Sequence, residues 1–224
     1  MTDAHCHVTG GDPSVREFLI GRDFIGVHPW ETLRDDRMIE CSNDRIDEIR
    51  ERLESEPRIG VGEIGLDRLK EREVSPRMRE VFEAQLRLAF EFNRPVVLHG
   101  AKCWGQVVRS VNSIIRSFDH SIIPSLLFHG FSRSDGLIPD IVALNGFISV
   151  GPAVLNDHAV NYRELVKRIP VERLLIETDR TPENAADCPS VRDVAAAVAT
   201  YRDMSFDELE RITDENAERF LNLI

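Results

Sequence analysis

Short apolar, β-branched runs bounded by Gly or Pro alternate along the chain with longer stretches in which apolar positions recur at helical spacing. That alternation is the pattern of a parallel sheet with crossover helices. The runs predict strands over Thr2 to Val8, Phe24 to Val27, Ile59 to Glu63, Pro95 to His99, Leu126 to His129, Phe147 to Val150 and Leu174 to Thr178. Between them, Asp44 to Glu54 carries Ile46, Ile49 and Leu53 on one helical face. Ser75-Pro76 supplies an N-cap followed by proline at the first helical position, and Met78, Phe82, Leu86, Ala89 and Phe92 continue as an apolar stripe. Val107, Val108, Val111, Ile114, Ile115 and Phe118 form a second stripe, and two helices around Val191 to Tyr201 and Phe206 to Leu223 close the chain.

The spacing of the strand ends narrows the fold. His28, Glu63, His99 and His129 follow one another at 35, 36 and 30 residues, and a (β/α)8 barrel of ~250 residues averages about 31 per unit. The expected fold is therefore α/β, a TIM-type (β/α) barrel. The interval from His7 to His28 is too short for two full units, so an eighth strand is either abbreviated, around Glu17 to Ile20, or absent. A doubly wound open sheet is the architectural alternative.

Composition removes other classes. The 224 residues hold 28 Lys+Arg against 39 Asp+Glu, a formal net charge of −11. No apolar run approaches the ~18 residues of a membrane span, no linker divides the chain, and residues 1–224 read as one domain. Met1-Thr2-Asp3-Ala4-His5 lacks the features of a secretory signal, which predicts a cytoplasmic protein. Cys6, Cys41, Cys103 and Cys188 are far apart, so neither a disulfide framework nor a cysteine zinc site is expected. Acidity at this level disfavours long-range attraction of nucleic acid and requires any such activity to use a locally positive site.

Candidate chemistry gathers where the strands end. Asp3, His5 and His7 alternate along the first strand and share one face, so the two imidazoles could hold one metal ion. Glu63 ends an apolar strand, where a carboxylate is costly to bury without a cation or donor. His99 and His129 each end a strand and precede glycine, and Asp179 follows Leu174-Leu175-Ile176-Glu177-Thr178. Four histidines and two carboxylates at carboxyl ends of strands point to the face on which barrel enzymes build active sites. His120 and His158 read as solvated surface residues, Cys103 as a small buried thiol and Arg68 to Glu73 as a solvated loop.

Taken in order, Asp3-Ala4-His5-Cys6-His7, Gly26-Val27-His28-Pro29-Trp30, Gly62-Glu63-Ile64-Gly65-Leu66-Asp67, Pro95-Val96-Val97-Leu98-His99, Phe128-His129-Gly130-Phe131-Ser132 and Glu177-Thr178-Asp179 resemble the TatD-like metal-dependent hydrolases, the TatD DNase family, in a compact branch. Thr213-Asp214-Glu215-Asn216-Ala217 resembles its closing helix. The resemblance implies two divalent ions, Zn, Mg or Mn. His5, His7, Glu63 and Asp179 would hold the first, and Glu63, His99 and His129 the second, with Glu63 common to both. Asp179 would take the proton of the attacking water, and His28 would line the pocket.

Two departures bear on substrate. His99-Gly100-Ala101-Lys102 stands where many members have His-x-Arg, which makes Lys102 the expected phosphate contact. Asp179-Arg180-Thr181-Pro182 replaces the usual Asp-Ala/Ser-Pro-Tyr. Lys102, Arg133 and Arg180 follow His99, His129 and Asp179 closely and are expected to bind substrate. The resulting expectation is a phosphodiesterase acting on DNA ends or short single-stranded DNA, without a membrane or an obligate protein partner. A hydrolase of a small ester, lactone or amide and a catalytically silent metal-binding protein are the alternatives.

Overall fold

The computed structural model describes residues 1–33, 39–118 and 122–221, and of 39–43 the backbone alone. His120, the end of the helix expected to reach Leu223 and the Cys41 side chain lie outside the described residues. The chain divides into two compact units, Met1–Ile20 with Leu127–Ile224, and Gly21–Leu126. Each is built of parallel strands and helices. Among the described residues no helix is long and apolar enough to cross a membrane.

In the first unit β1 (Thr2–Cys6) pairs in parallel with β2 (Arg16–Leu19), so the abbreviated strand expected near Glu17 to Ile20 is present. Every residue of β1 is buried. The second unit carries β3 (Phe24–Ile25), β4 (Gly60–Asp67) and β5 (Val96–Ala101), parallel in that order. All eight positions of β4 are buried. Gly60 and Gly62 suit it to that place, since a Cβ on the first would stand 2.4 Å from the Phe24 ring and one on the second 2.7 Å from Val97 Cβ.

Helices cover these strands through the faces the periodicity predicts. Helix α1 (Ile39–Ser55) buries Ile49 and Leu53. Helix α2 (Pro76–Glu91) starts where Ser75 accepts the Met78 amide at 3.1 Å, and it buries Met78, Phe82, Leu86 and Ala89. Buried Gln85 of α2 accepts the Val27 amide at 2.6 Å and donates to the Val27 carbonyl at 3.2 Å, which fixes the chain just beyond β3. Helix α3 (Trp104–Ser117) buries Val107, Val111 and Ile114.

At β6 (Leu126–Phe128) the chain passes into the first unit again. There α4 (Ile138–Ala143), β7 (Gly146–Val150), α5 (Val160–Arg168), β8 (Leu174–Ile176), α6 (Val191–Tyr201) and α7 (Phe206–Phe220) follow. Strands β7 and β8 pair in parallel. The strands expected to reach His129 and Thr178 end at Phe128 and Ile176, one and two residues earlier, whereas β7 ends at Val150 as expected.

The Thr213 to Ala217 stretch has a structural reason. Asn216 is fully buried and its amide donates to the Val171 and Leu174 carbonyls, each at 2.7 Å, which pins the start of β8. An unmade buried hydrogen bond costs ~1–3 kcal/mol, so Asn216→Ala should lose about 2–4 kcal/mol. In the second unit, Gly65 has φ +155°, and a Cβ there would sit 2.0 Å from the His99 carbonyl oxygen. Gly65→Ala should destabilise by at least about 3 kcal/mol, since backbone must move to admit it. Urea midpoints of the two variants against the parent chain check both; a loss below about 1 kcal/mol in either contradicts the packing described.

Candidate metal centre

In the first unit the site is assembled by one buried carboxylate. Asp3 accepts the Thr178 amide at 2.9 Å and the Thr178 hydroxyl at 2.6 Å. Burial pushes the Asp3 carboxyl up to about 6 even though the Thr178 donors and the His5 amide favour its charged form. Two backbone hydrogen bonds extend this junction: Asp179 N–H donates to the His5 carbonyl at 3.0 Å and His7 N–H to the Arg180 carbonyl at 2.8 Å. His5, His7 and Asp179 are thereby held in one place. Asp179 Oδ1 lies 3.5 Å from His5 Nε2 and 3.7 Å from His7 Nε2.

His129 joins this group. Its ring stacks on that of His5 with centroids 4.1 Å apart. One ligand atom from each of His5, His129 and Asp179 falls within a common 4.8 Å. Behind His129 stands Glu177, which accepts the Gly130 amide at 2.7 Å and the Ser149 hydroxyl and lies 3.8 Å from His129 Nδ1. In the sequence Glu177 is only a carboxylate directly after the apolar run Leu174-Leu175-Ile176, and its place behind His129 comes from the fold.

A cavity of about 1050 Å³ opens beside Asp179, lined by Gly130, Arg133, Gly151, Tyr162 and Thr178 among others. His158 and Arg168 line it too. His158 is exposed, in keeping with the surface reading, yet it faces this cavity. The Tyr162 hydroxyl accepts the Gly151 amide at 3.1 Å, and burial pushes its ionisation upward, so it stays a neutral phenol. Arg180 is half-buried; its guanidinium lies against Gly10, where a Cβ would clash with it.

In the second unit Glu63, His99 and His28 form a second cluster. His99 Nδ1 is 2.6 Å from Glu63 Oε1, and His99 Nε2 is 2.8 Å from Asp67 Oδ2. His28 Nε2 lies 3.6 Å from Glu63 Oε1, and one ligand atom from each of His28, Glu63 and His99 again falls within 4.8 Å. Burial drives the Asp67 carboxyl upward, but hydrogen bonds from His99, the Leu69 amide and the Trp30 indole outweigh it and hold the group below the usual carboxylate range. Lys102 is exposed just past β5.

These donor sets fit a divalent metal. Each combines imidazole nitrogen with carboxylate oxygen at mutual distances that one ion can span, and mixed N/O sets suit Zn and Mn, with carboxylate oxygens also serving Mg. Cys103 belongs to neither set. Its thiol donates to the Leu66 carbonyl at 3.2 Å, and burial pushes it up to about 12. Native protein at pH 8 should therefore leave Cys103 unlabelled by iodoacetamide, as peptide mass analysis would read, and Cys103→Ser should keep its metal content. Labelling of Cys103 as fast as an unfolded control contradicts the inert reading.

The family model described as TatD related DNase matches residues 21–222. An uncharacterized metal-dependent hydrolase of Bacillus subtilis (strain 168), YabD, is 31% identical over 206 residues, covering 89% of this chain and 76% of its own. The 3'-5' ssDNA/RNA exonuclease TatD of Edwardsiella piscicida is 25% identical over 210 residues, covering 88% and 76%. Among solved structures, the TatD homologue YJJV of Escherichia coli K12 superposes with a TM-score of 0.71 at 22% identity, covering 95% of this chain and 78% of its own. That likeness carries the fold: α/β, of the TIM-barrel type.

Proposed function

The chain belongs to the TatD related DNase family of metal-dependent hydrolases, and from that premise we propose that it is a phosphodiesterase of exonuclease type, acting in the cytoplasm on DNA ends or short single strands. The observation that carries this reading is the pair of donor clusters, His5, His7, His129 and Asp179 in one unit and Glu63 and His99 in the other. We assign one divalent ion to each. Ions bound at such donors supply Lewis acidity, lowering the pKa of water and neutralising phosphate charge.

The chain's own residues supply the rest. Asp179 has a half-exposed carboxylate beside the cavity, and it accepts the proton of the attacking water at Oδ. Lys102 and Arg133 are exposed immediately after the strand ends that carry His99 and His129, where each can hold a phosphate next to the scissile one. Arg133 lines the cavity that contains Asp179. Arg180 is a weaker candidate for that role, since its guanidinium lies against Gly10. A chain of net charge −11 does not track a long polyanion. Contact with a few phosphates at an end suits both facts.

The test is turnover of a labelled single-stranded oligonucleotide, of closed circular DNA and of a panel of small esters by protein loaded with Mg, Mn or Zn. Shortening from an end is expected, with a shallow salt dependence that scales with the few phosphates contacted. Asp179→Asn should lower kcat by about 10²-fold or more while metal content falls less, since general base catalysis contributes ~10²–10⁴. Lys102→Ala should raise KM with metal content unchanged. Efficient cutting of closed circles overturns the end preference, and turnover of an ester with none of DNA replaces this substrate with a small ester.

A further inference from the structure

The Glu63 cluster contains two histidines whose surroundings place their protons differently with respect to an ion. His28 sits at the start of the 3-10 helical turn Pro29–Leu33, with its backbone amide donating to Glu31 Oε1 at 2.9 Å. The Trp30 amide donates to His28 Nδ1 at 3.1 Å. A neutral imidazole carries one N–H, and an amide hydrogen aimed at Nδ1 demands a lone pair there. The proton of His28 is therefore on Nε2, the atom facing Glu63 Oε1 at 3.6 Å. A nitrogen bearing a proton has no lone pair for a metal.

His99 is the opposite case. Its Nε2 faces Asp67 Oδ2 at 2.8 Å, and an ionised carboxylate only accepts, so the proton on Nε2 is fixed there. Nδ1 faces a carboxylate too, Glu63 Oε1 at 2.6 Å, but Glu63 is read as a metal-binding side chain and Asp67 is not, so an ion that takes Glu63 displaces the proton between Glu63 and Nδ1 and leaves the one between Asp67 and Nε2. Asp67 is itself held by the Leu69 amide at 2.5 Å and is 1% exposed. The Trp30 indole donates to the same carboxylate, so one residue reaches both histidines, one by its backbone and the other through Asp67.

We propose that His28 is not a metal ligand but a fixed hydrogen-bond donor, presenting Nε2–H to an anionic oxygen of the substrate's scissile group, and that Asp67 is the positioning residue that keeps His99 a ligand through Nδ1. The inference rests on the reading of Glu63 and His99 as metal-binding. Gln85 and the Glu31 contact hold His28 in place for this role, and its side chain remains 23% exposed, open to a substrate oxygen.

Two measurements on the full chain decide it: calorimetric titration with Mn or Zn, and long-range nitrogen–proton NMR of the histidine rings in metal-free protein and after metal addition. His28→Ala and His28→Gln should change the metal Kd by less than about threefold, while Asp67→Ala weakens it by ~10–100-fold, the range for loss of a carboxylate behind a ligating histidine. Asp67→Asn, which keeps an acceptor, should recover part of that loss. Loss of a well-placed donor costs ~10²–10³ in kcat; His28→Ala should fall in that range and His28→Gln, whose amide N–H reaches the same place, should restore part. The His28 ring should show a protonated Nε2 before and after metal. An unprotonated Nε2 on His28, or the loss of an ion in His28→Ala, overturns the proposal. If the parent chain takes up no ion, the metal reading of Glu63 and His99 falls, and the ring spectrum still decides the donor state of His28.

Discussion

In the first unit, the meeting of His5 and His7 with Asp179 depends on the Asp3 carboxylate receiving both donors of Thr178. Burying a carboxylate is costly, and the raised affinity of Asp3 for a proton records that cost. What the contact secures is register. His5 lies two residues further along the same strand and His7 one residue past its end, so holding Asp3 anchors the segment that carries both. Thr178 is adjacent to Asp179, so the same contact sets the carboxylate they meet. The backbone bonds from Asp179 to His5 and from His7 to Arg180 prolong the junction past the end of β1, where no regular ladder would hold it.

The second unit reaches a comparable result by removing side chains. Glycines at 60, 62 and 65 let β4 approach its neighbours closely enough that Phe24, Val97 and the His99 backbone fill the space. In the β4–β5 register Gly65 stands opposite His99, and the two carboxylates that grip the His99 ring, Glu63 and Asp67, flank that glycine on β4. A side chain at 65 would push β5 away and separate His99 from both. The glycine-rich spelling of this strand is thus a packing requirement before it is a chemical one.

The strands and most helices were legible because their apolar period was regular. β2 was visible only as an interval too short for two full units, since four residues of mixed burial carry no pattern of their own. α4 and α5 carry no stripe for a related reason: Ile138–Ala143 buries Ile138 and Ile141, and Val160–Arg168 buries Leu165 and Val166, too few in each to set a period. Ligand-type residues announced themselves as polar side chains ending apolar runs. Their supports did not. Nothing in the order of residues says that Gln85 of α2 grips Val27, or that Asp67 turns to His99, because those contacts join elements far apart in sequence. Glu177 and Thr178 were read as part of a motif, and only geometry separates the one that stands behind His129 from the one that locks β1.

Three of the turns that follow strand ends hold a non-glycine residue in a conformation that a side chain makes costly. Lys102, Arg133 and Asp179 all adopt positive φ, at 57°, 57° and 48°, in the turns that follow strand ends. Asn93, Asn145 and Asp203 adopt the same conformation elsewhere, and short polar side chains tolerate it. Lys and Arg gain no such relief, and each such residue costs ~1–3 kcal/mol. Where shape alone was needed glycine was used, as at Gly130, φ 56°, three residues before Arg133. Lys102 and Arg133 thus each keep a long side chain at a position that glycine would fill at lower cost, so the shape of the turn alone does not account for either residue.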